Sequence, residues 1–475
     1  MAKQILRIPS LDGGMVTDVS PMLLDVTKGY MSRMLNFDFS RYGKLQKRPG
    51  IAPEYLSVAD SIVGAHEFIK ASTGKNYKIV AHGTAIQYWD GAAWVDLKTD
   101  TTKDAPFAFH TFADSLVMAN GVDASLRWDG TSLTTPTQFP KVKYLAEYRL
   151  RLVGAGDPDK PSMLYISHTG DPTIWDPSLD NSNAAQIFVS PDDGEGISGI
   201  CNAGEGGLLI GKPSALYGLF GYSRANFMVD IIDPNVGVAS QGSMVYIRPF
   251  TYFVNTRGIY RLAIGDTPER ISAPIQNILD SWLDVSKITQ VSAALIGLNY
   301  VVTLPKIGGG WFTLAYHTEN RAWCEWTNPM LGKFMKANDK SGNLGYCSEP
   351  GGNQFYRIGF DLLDDSTGVI ANEIETLEFD AGQPEVTKEI QELHLVMLKK
   401  ENPYTFSVDF KVDNTDWYPL SMPVTIKGEA GSQENVRFPV GKTVRFFRVR
   451  LRADKANQEF CPLSLNVVLE PQEVW

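Results

Sequence analysis

A chain of 475 residues with 43% hydrophobic and 11% aromatic side chains is too long for one ordinary domain and has ample material for a large core plus one or two smaller pieces. Its 44 basic and 54 acidic residues leave a formal charge of −10, which argues against gripping nucleic acid by neutralising phosphates across the whole surface. No apolar stretch of signal-peptide length opens the chain, and no run approaches the roughly eighteen apolar residues of a membrane span, so a soluble protein made in the cytoplasm is expected.

Residues 1–55 read as an N-terminal arm. Pro9, Gly13, Gly14 and Pro21 interrupt any long element, and Lys47-Arg48-Pro49-Gly50 closes the stretch with a breaker. Within it Leu35, Phe37 and Phe39 alternate with Asn36, Asp38 and Ser40, and Arg41-Tyr42-Gly43 turns the chain towards Leu45, which predicts a hairpin. Residues 56–365 are short β-rich runs separated by Gly, Pro, Asn and Asp. A loose repeat of about forty residues runs through them, clearest where Tyr88-Trp89-Asp90-Gly91 is followed 39 residues later by Arg127-Trp128-Asp129-Gly130. The first unit parses into strands at 62–68, 77–82, 85–89 and 94–97. Later units follow at 208–211 with 215–220, 252–255 with 257–262, and 300–304 with 312–316. Strand repeats of this period predict a β-propeller of six blades, or seven if 344–359 belongs to one more. Asp and Gly supply the positive φ that tight hairpins need, and the neighbouring Trp and Tyr would cover the faces packed between blades. The clearest helical segment is 274–283, where Ile275, Ile278, Leu279 and Trp282 fall at helical spacing behind Pro274. From 366 to 475 longer alternating strands, at 375–379, 393–398, 406–412 and 444–451, predict a separate C-terminal β-sandwich with Val449 and Leu451 inward and Arg448, Arg450 and Arg452 on the other face. The predicted fold is thus all-β: an arm (1–55), a β-propeller (56–365) and a C-terminal β-sandwich (366–475).

No chemical motif is complete. The run from Gly206 to Gly211-Lys212 has the spacing of a phosphate loop, but Pro213 stands where the magnesium-binding hydroxyl belongs and the intervening residues read as a buried strand. Six histidines (His66, His82, His110, His168, His317, His394) are scattered singly, without a chelating pair. Cys201, Cys324, Cys347 and Cys461 lack Cys-x-x-Cys spacing and read as buried thiols. Acidic loops at Asp192-Asp193-Gly194-Glu195 and from Asp361 to Asp364 and Asp365 lack the alternation of a calcium loop and read as solvated turns. The repeated Ser-x-Asp-x-Gly-x-x-Trp signature of propeller sialidases is absent: residues 167–175 place Asp171 and Gly170 in the wrong order. Arg445, Arg448, Arg450, Arg452 and Lys455 read as a solvated strand face matched across its sheet by Glu and Asp. No catalytic residue, metal or cofactor is therefore expected. A pair of carboxylates for sugar hydrolysis would be set by folding and not by sequence.

Several passages resemble the tail nozzle proteins, also called tail hub or DNA-stabilisation proteins, of short-tailed bacteriophages. The opening Gly13-Gly14-Met15-Val16-Thr17-Asp18-Val19-Ser20-Pro21, then Leu35-Asn36-Phe37-Asp38 and Gly43-Lys44-Leu45-Gln46-Lys47-Arg48-Pro49-Gly50, look like that family's N-terminal signature. Gly237-Val238-Ala239-Ser240 through Phe253 to Arg257-Gly258-Ile259-Tyr260-Arg261-Leu262, and Tyr300-Val301-Val302 with Ala315-Tyr316, Asn320 and Trp323 to Trp326, look like its blades. The resemblance covers roughly the first 360 residues. It implies a non-enzymatic virion protein of the tail, a homohexameric ring below a head-to-tail adaptor protein, with tail fibres or spikes as neighbours and duplex DNA passing through the channel without tight binding. Two expectations are added to it. Asp192, Asp193, Glu195, Asp361, Asp364 and Asp365 are candidates for acidic channel loops. Met22, Leu23, Leu24, Met31, Met34 and Leu35 are candidates for assembly contacts, because apolar residues among turn breakers leave surface seeking a partner. Two other readings stay open: a carbohydrate-binding or carbohydrate-cleaving propeller, and another virion component such as a baseplate or fibre-anchoring protein.

Overall fold

Short alternating runs joined by Asp-Gly turns fold into antiparallel four-stranded units. The computed structural model describes residues 3–20, 23–39, 44–179, 182–337, 343–413 and 415–472. The first unit comprises Ile62–Lys70, Lys75–His82, Ala85–Trp89 and Trp94–Lys98, paired in sequence order. The repeated Trp-Asp-Gly makes the same turn twice. Asp90 Oδ1 accepts from the backbone N–H of Ala92 and Ala93, both at 2.8 Å, and Asp129 Oδ1 accepts from Thr131 and Ser132 at 2.8 and 2.7 Å. Each turn joins the third strand of a unit to its fourth.

Further units begin with Ala108–Phe112, Tyr144–Tyr148, Gly199–Asn202, Val245–Ile247, Ser292–Ile296 and Lys333–Lys336. Each of these first strands touches the first strand of the next unit, and Lys333–Lys336 touches Ile62–Lys70, which brings the series back to its start. Apolar clusters fill the space between neighbouring units. Phe68, Ile79 and Ile86 of the first unit pack on Leu116, Met118 and Trp128 of the second. In the strand Leu208–Gly211 the period of two divides the side chains: Leu208 and Ile210 face the third unit and Leu209 faces the fifth. Aromatic rings seal these faces as expected, with Trp128 against Tyr77 at 4.9 Å between centroids and Tyr55 against Trp89 and Tyr346, each at 5.2 Å.

The N-terminal segment is not a free arm. Gly50–Glu54 is the fourth strand of the unit that begins at Lys333, pairing antiparallel with Phe355–Gly359, Ile51 opposite Ile358. Tyr30–Leu35 extends the unit that begins at Ser292: Leu35 lies parallel to Glu325, while the strand's other edge takes Asn372–Thr376. Gln4–Ile8 pairs with Pro462–Pro471 near the C-terminus. The predicted hairpin is present as Phe37–Phe39 with Leu45–Lys47; its turn, Arg41-Tyr42-Gly43, lies outside the described residues.

The C-terminal strands form two facing layers. One sheet holds Gln4–Ile8, Pro462–Pro471, Lys388–Leu398 and Gln433–Val444; the other holds Asn372–Thr376, Phe447–Ala453 and Tyr404–Val412. Val449 and Leu451 are buried and Arg448, Arg450 and Arg452 point outward, as their alternation predicts. The separation expected at 366 does not hold, because the second layer is continuous through Tyr30–Leu35 with the unit beginning at Ser292, and one apolar cluster runs through both. The predicted helical segment is a 3-10 turn, Ala273–Ile275, followed by the helix Gln276–Trp282. No helix among the described residues is long and apolar enough to cross a membrane.

Candidate functional site

The motif residues of the N-terminal segment converge on a buried joint. Arg48 is 1% exposed. Its Nη1 and Nη2 donate to Asp365 Oδ1 and Oδ2 at 3.0 and 2.5 Å, its Nε to Asn36 Oδ1 at 2.8 Å, and its remaining hydrogens to Pro49 O (2.9 Å) and Thr327 Oγ1 (3.0 Å). All five donors are thereby used, the bidentate fork on a carboxylate that a guanidinium geometry favours. Asp365 also accepts from Asn328 Nδ2 at 2.9 Å and from the Ile51 N–H at 3.2 Å. Asn36, at φ 63, donates to Ala371 O at 2.7 Å. Lys47 pairs with Asp364 at 3.1 Å. Glycine is required nearby: a Cβ on Gly50 would lie 2.4 Å from Asp364 O, and one on Gly14 (φ +79) 2.7 Å from Ala322 Cβ.

The acidic loops are correspondingly not free charges. Asp364 and Asp365 belong to this joint, Asp361 pairs with Arg357 at 2.8 Å, and Asp193 holds the buried Lys212 at 2.7 Å. Arg357 and Lys212 hold the carboxyl groups of Asp361 and Asp193 below the usual range, against the opposing effect of burial. Glu195 accepts from Ser214 Oγ at 2.7 Å. These four aspartates are therefore each paired with a cation of the same chain, while Asp192 is exposed without such a pair among the described residues. Lys212, the lysine of the phosphate-loop look-alike, is spent on Asp193 and Ser190 O inside the fold.

The candidate assembly residues divide. Met31 and Met34 are 0% exposed, inside the chain's own core, so they cannot face a neighbour. A bulge between Met31 and Arg33 brings the two methionines, three residues apart, opposite Thr376 and Ile374 on one side of the strand. Leu35 is partly buried, Met22 lies outside the described residues, and Leu23 is 80% exposed. Leu24 lines a cavity of about 720 Å³ with Leu6, Phe379, Pro384 and Phe446, between the N-terminal segment and the C-terminal layers.

Other sequence candidates are structural. Arg450 and Arg452 both pair with the buried Asp409, at 2.9 and 2.8 Å, and Arg448 pairs with Glu375 at 3.3 Å, so the basic strand face is matched across its sheet. Cys324, Cys347 and Cys461 are buried and Cys201 partly so. Burial pushes the Cys201 thiol up to about 12 and Cys461 to about 11, far from a reactive thiolate. Among the described residues no three His, Cys, Asp or Glu side chains cluster as a metal site. Sequence reasoning passed over Arg149 and Arg151, which wall a second cavity; the available signal was two arginines flanking a hairpin turn without glycine.

No family model and no curated protein matches the chain. Among solved structures it is similar to the extracellular domain of BT4673 from B. thetaiotaomicron (11% identity, TM-score 0.41), covering 81% of this chain and 47% of that one. It thus spans about half the length of that domain. It is also similar to YCF48 bound to D1 peptide (10% identity, TM-score 0.43, 69% and 98% covered) and to Trypanosoma rangeli sialidase (9% identity, TM-score 0.30, 100% and 97% covered). Likenesses at these scores do not bear on activity.

Proposed function

We propose that this protein is a non-enzymatic structural subunit of a short bacteriophage tail, a nozzle or hub ring that retains DNA and releases it. Its four-stranded units are read as seven blades of a β-propeller, the seventh completed by the N-terminal strand Gly50–Glu54. The cyclic contacts of the first strands support the propeller. The observation that carries the functional reading is where the tail-protein resemblance falls. Gly14, Asn36, Arg48 and Gly50 stand in the motifs that resemble the nozzle family's N-terminal signature, and they are the residues that bind the first fifty residues to the last units. The likeness therefore concerns how the chain closes, not surface decoration.

In this reading six copies of 52.5 kDa, about 315 kDa, form a ring on the head-to-tail adaptor of the virion, with fibres or spikes around it. Leu23 and the edge residues Phe188, Met228 and Ile231, 53 to 80% exposed, supply apolar surface for such contacts. Light scattering of the full chain mixed with its adaptor ring tests this: a species gaining about six copies is expected, and Leu23→Ser should weaken its formation without lowering the thermal midpoint of the monomer. A chain that stays monomeric on the assembled adaptor would defeat the proposal.

A further inference from the structure

Between the third and fourth units, beside the turn from Tyr144–Tyr148 into Arg151–Ala155, lies a cavity of about 640 Å³. Arg149, Arg151, Tyr148, Tyr222, Glu147 and Glu205 stand in its wall. Arg151 is only 4% exposed. Its Nη1 donates to the backbone oxygens of Arg149 and Tyr222, each at a long 3.3 Å, and its guanidinium sits 5.3 Å from the centre of the Phe227 ring. The Nε atoms of Arg151 and Arg149 are both buried without a hydrogen-bond partner among the described residues. Burial alone lowers the Arg151 pKa, and among the described residues no carboxylate opposes it. Arg48, Lys212 and Arg261, similarly buried, each hold a carboxylate. Arg149, in the same wall, is stacked 4.4 Å over the Tyr222 ring and donates from Nη2 to Glu205 O at 3.2 Å. Of the two carboxylates in the wall, Glu147 faces His110 at 3.8 Å.

A desolvated guanidinium supported only by carbonyl dipoles and a ring face is costly. We propose that this crevice binds an oxyanion on Arg149 and Arg151: the carboxylate of an acidic sugar or the phosphate of a small phosphorylated ligand. Both present two coplanar or tetrahedral oxygens to a guanidinium fork, and the cavity volume suits a ligand of monosaccharide size. The site lies apart from the joint at Arg48 and from Leu23, so it stands or falls independently of the ring.

Calorimetric titration of the full chain at constant ionic strength, with glucuronate, inorganic phosphate and neutral glucose, tests the proposal. Saturable binding of at least one anion and none of glucose is expected, and whichever anion binds identifies the source of the charge. Arg149→Met, at the more accessible position, should raise the dissociation constant at least tenfold, and Arg151→Met should abolish binding while raising the Tm of the free protein. The exposed Arg257→Met should leave affinity unchanged. If Arg151→Met does not fold, Arg149→Met alone decides. Failure of both anions to saturate, or affinity indifferent to Arg149→Met, overturns the proposal, as does a lowered Tm with unchanged binding in Arg151→Met.

Discussion

Every N–H of the Arg48 guanidinium has an acceptor, and its carboxylate partner Asp365 is itself held by Asn328 and Ile51. Removing one member of a buried pair strands the other without solvent, at a cost of about 3–5 kcal/mol. Arg48→Ala is therefore expected to lower stability by that amount in chemical denaturation. Arg48→Lys should rescue little, because an ammonium cannot reproduce the planar five-donor fork. A loss below about 1 kcal/mol would show that the joint does not hold the termini. His66 supplies a pH dependence. It hydrogen-bonds Thr111 at 2.8 Å and packs against Phe109. Burial, helped by His110 and opposed by Glu67, pulls its pKa from 6.5 down to about 4. Between these values the unfolded chain takes up a proton that the folded one refuses, so its stability contribution is complete above about pH 6.5 and is lost as pH falls towards 4. His317, also lowered chiefly by burial, acts in the same direction. Thermal melts from pH 7.5 to 4.5 should fall, and His66→Gln should flatten the slope; an unchanged slope would remove His66 as the cause.

Two of the N-terminal strands take partners far along the chain. Gly50–Glu54 completes a unit whose other strands lie about three hundred residues away, and Tyr30–Leu35 bridges Ala322–Trp326 to Asn372–Thr376. Deleting residues 1–54 would expose the edge at Phe355–Gly359 and open the layer around Met31 and Met34. Such a truncation is expected to be insoluble or to lose its cooperative unfolding transition. A soluble truncated chain with a sharp melt would instead restore the picture of a detachable arm. Within the central region the elements were legible because they are local: 85–89 and 208–211 were placed to the residue by alternation and by flanking turns. The strands Gln433–Val444 and Pro462–Pro471 lie outside the predicted set, although Leu465, Val467 and Leu469 alternate as buried residues in the second.

For the whole molecule, the chain's −10 becomes about −60 in a ring of six. Because Asp193, Asp361, Asp364 and Asp365 each pair with a cation of the same chain, any repulsion of duplex DNA in such a ring is expected to come mainly from the summed charge. If the proposed ring forms, it is expected to bind duplex DNA weakly at about 150 mM salt, with a shallow dependence of affinity on salt. Tight binding with a steep salt slope would mean a bore lined by Lys and Arg, contrary to a passage of low friction.

Composition, the forty-residue rhythm and the Asp-Gly turns were enough to determine a mostly β chain of repeated four-stranded units, because hairpin pairing and the period of two depend on residues close in sequence. The outward Arg448, Arg450 and Arg452 followed from the same alternation. Tertiary structure alone decided what pairs at a distance: Gly50–Glu54 with Phe355–Gly359, Arg48 with Asp365, Lys212 with Asp193, and Arg151 with no carboxylate among the described residues. A carboxylate's role depends on which cation the fold brings within a few ångströms and how far water is excluded, and neither is written in the order of the residues.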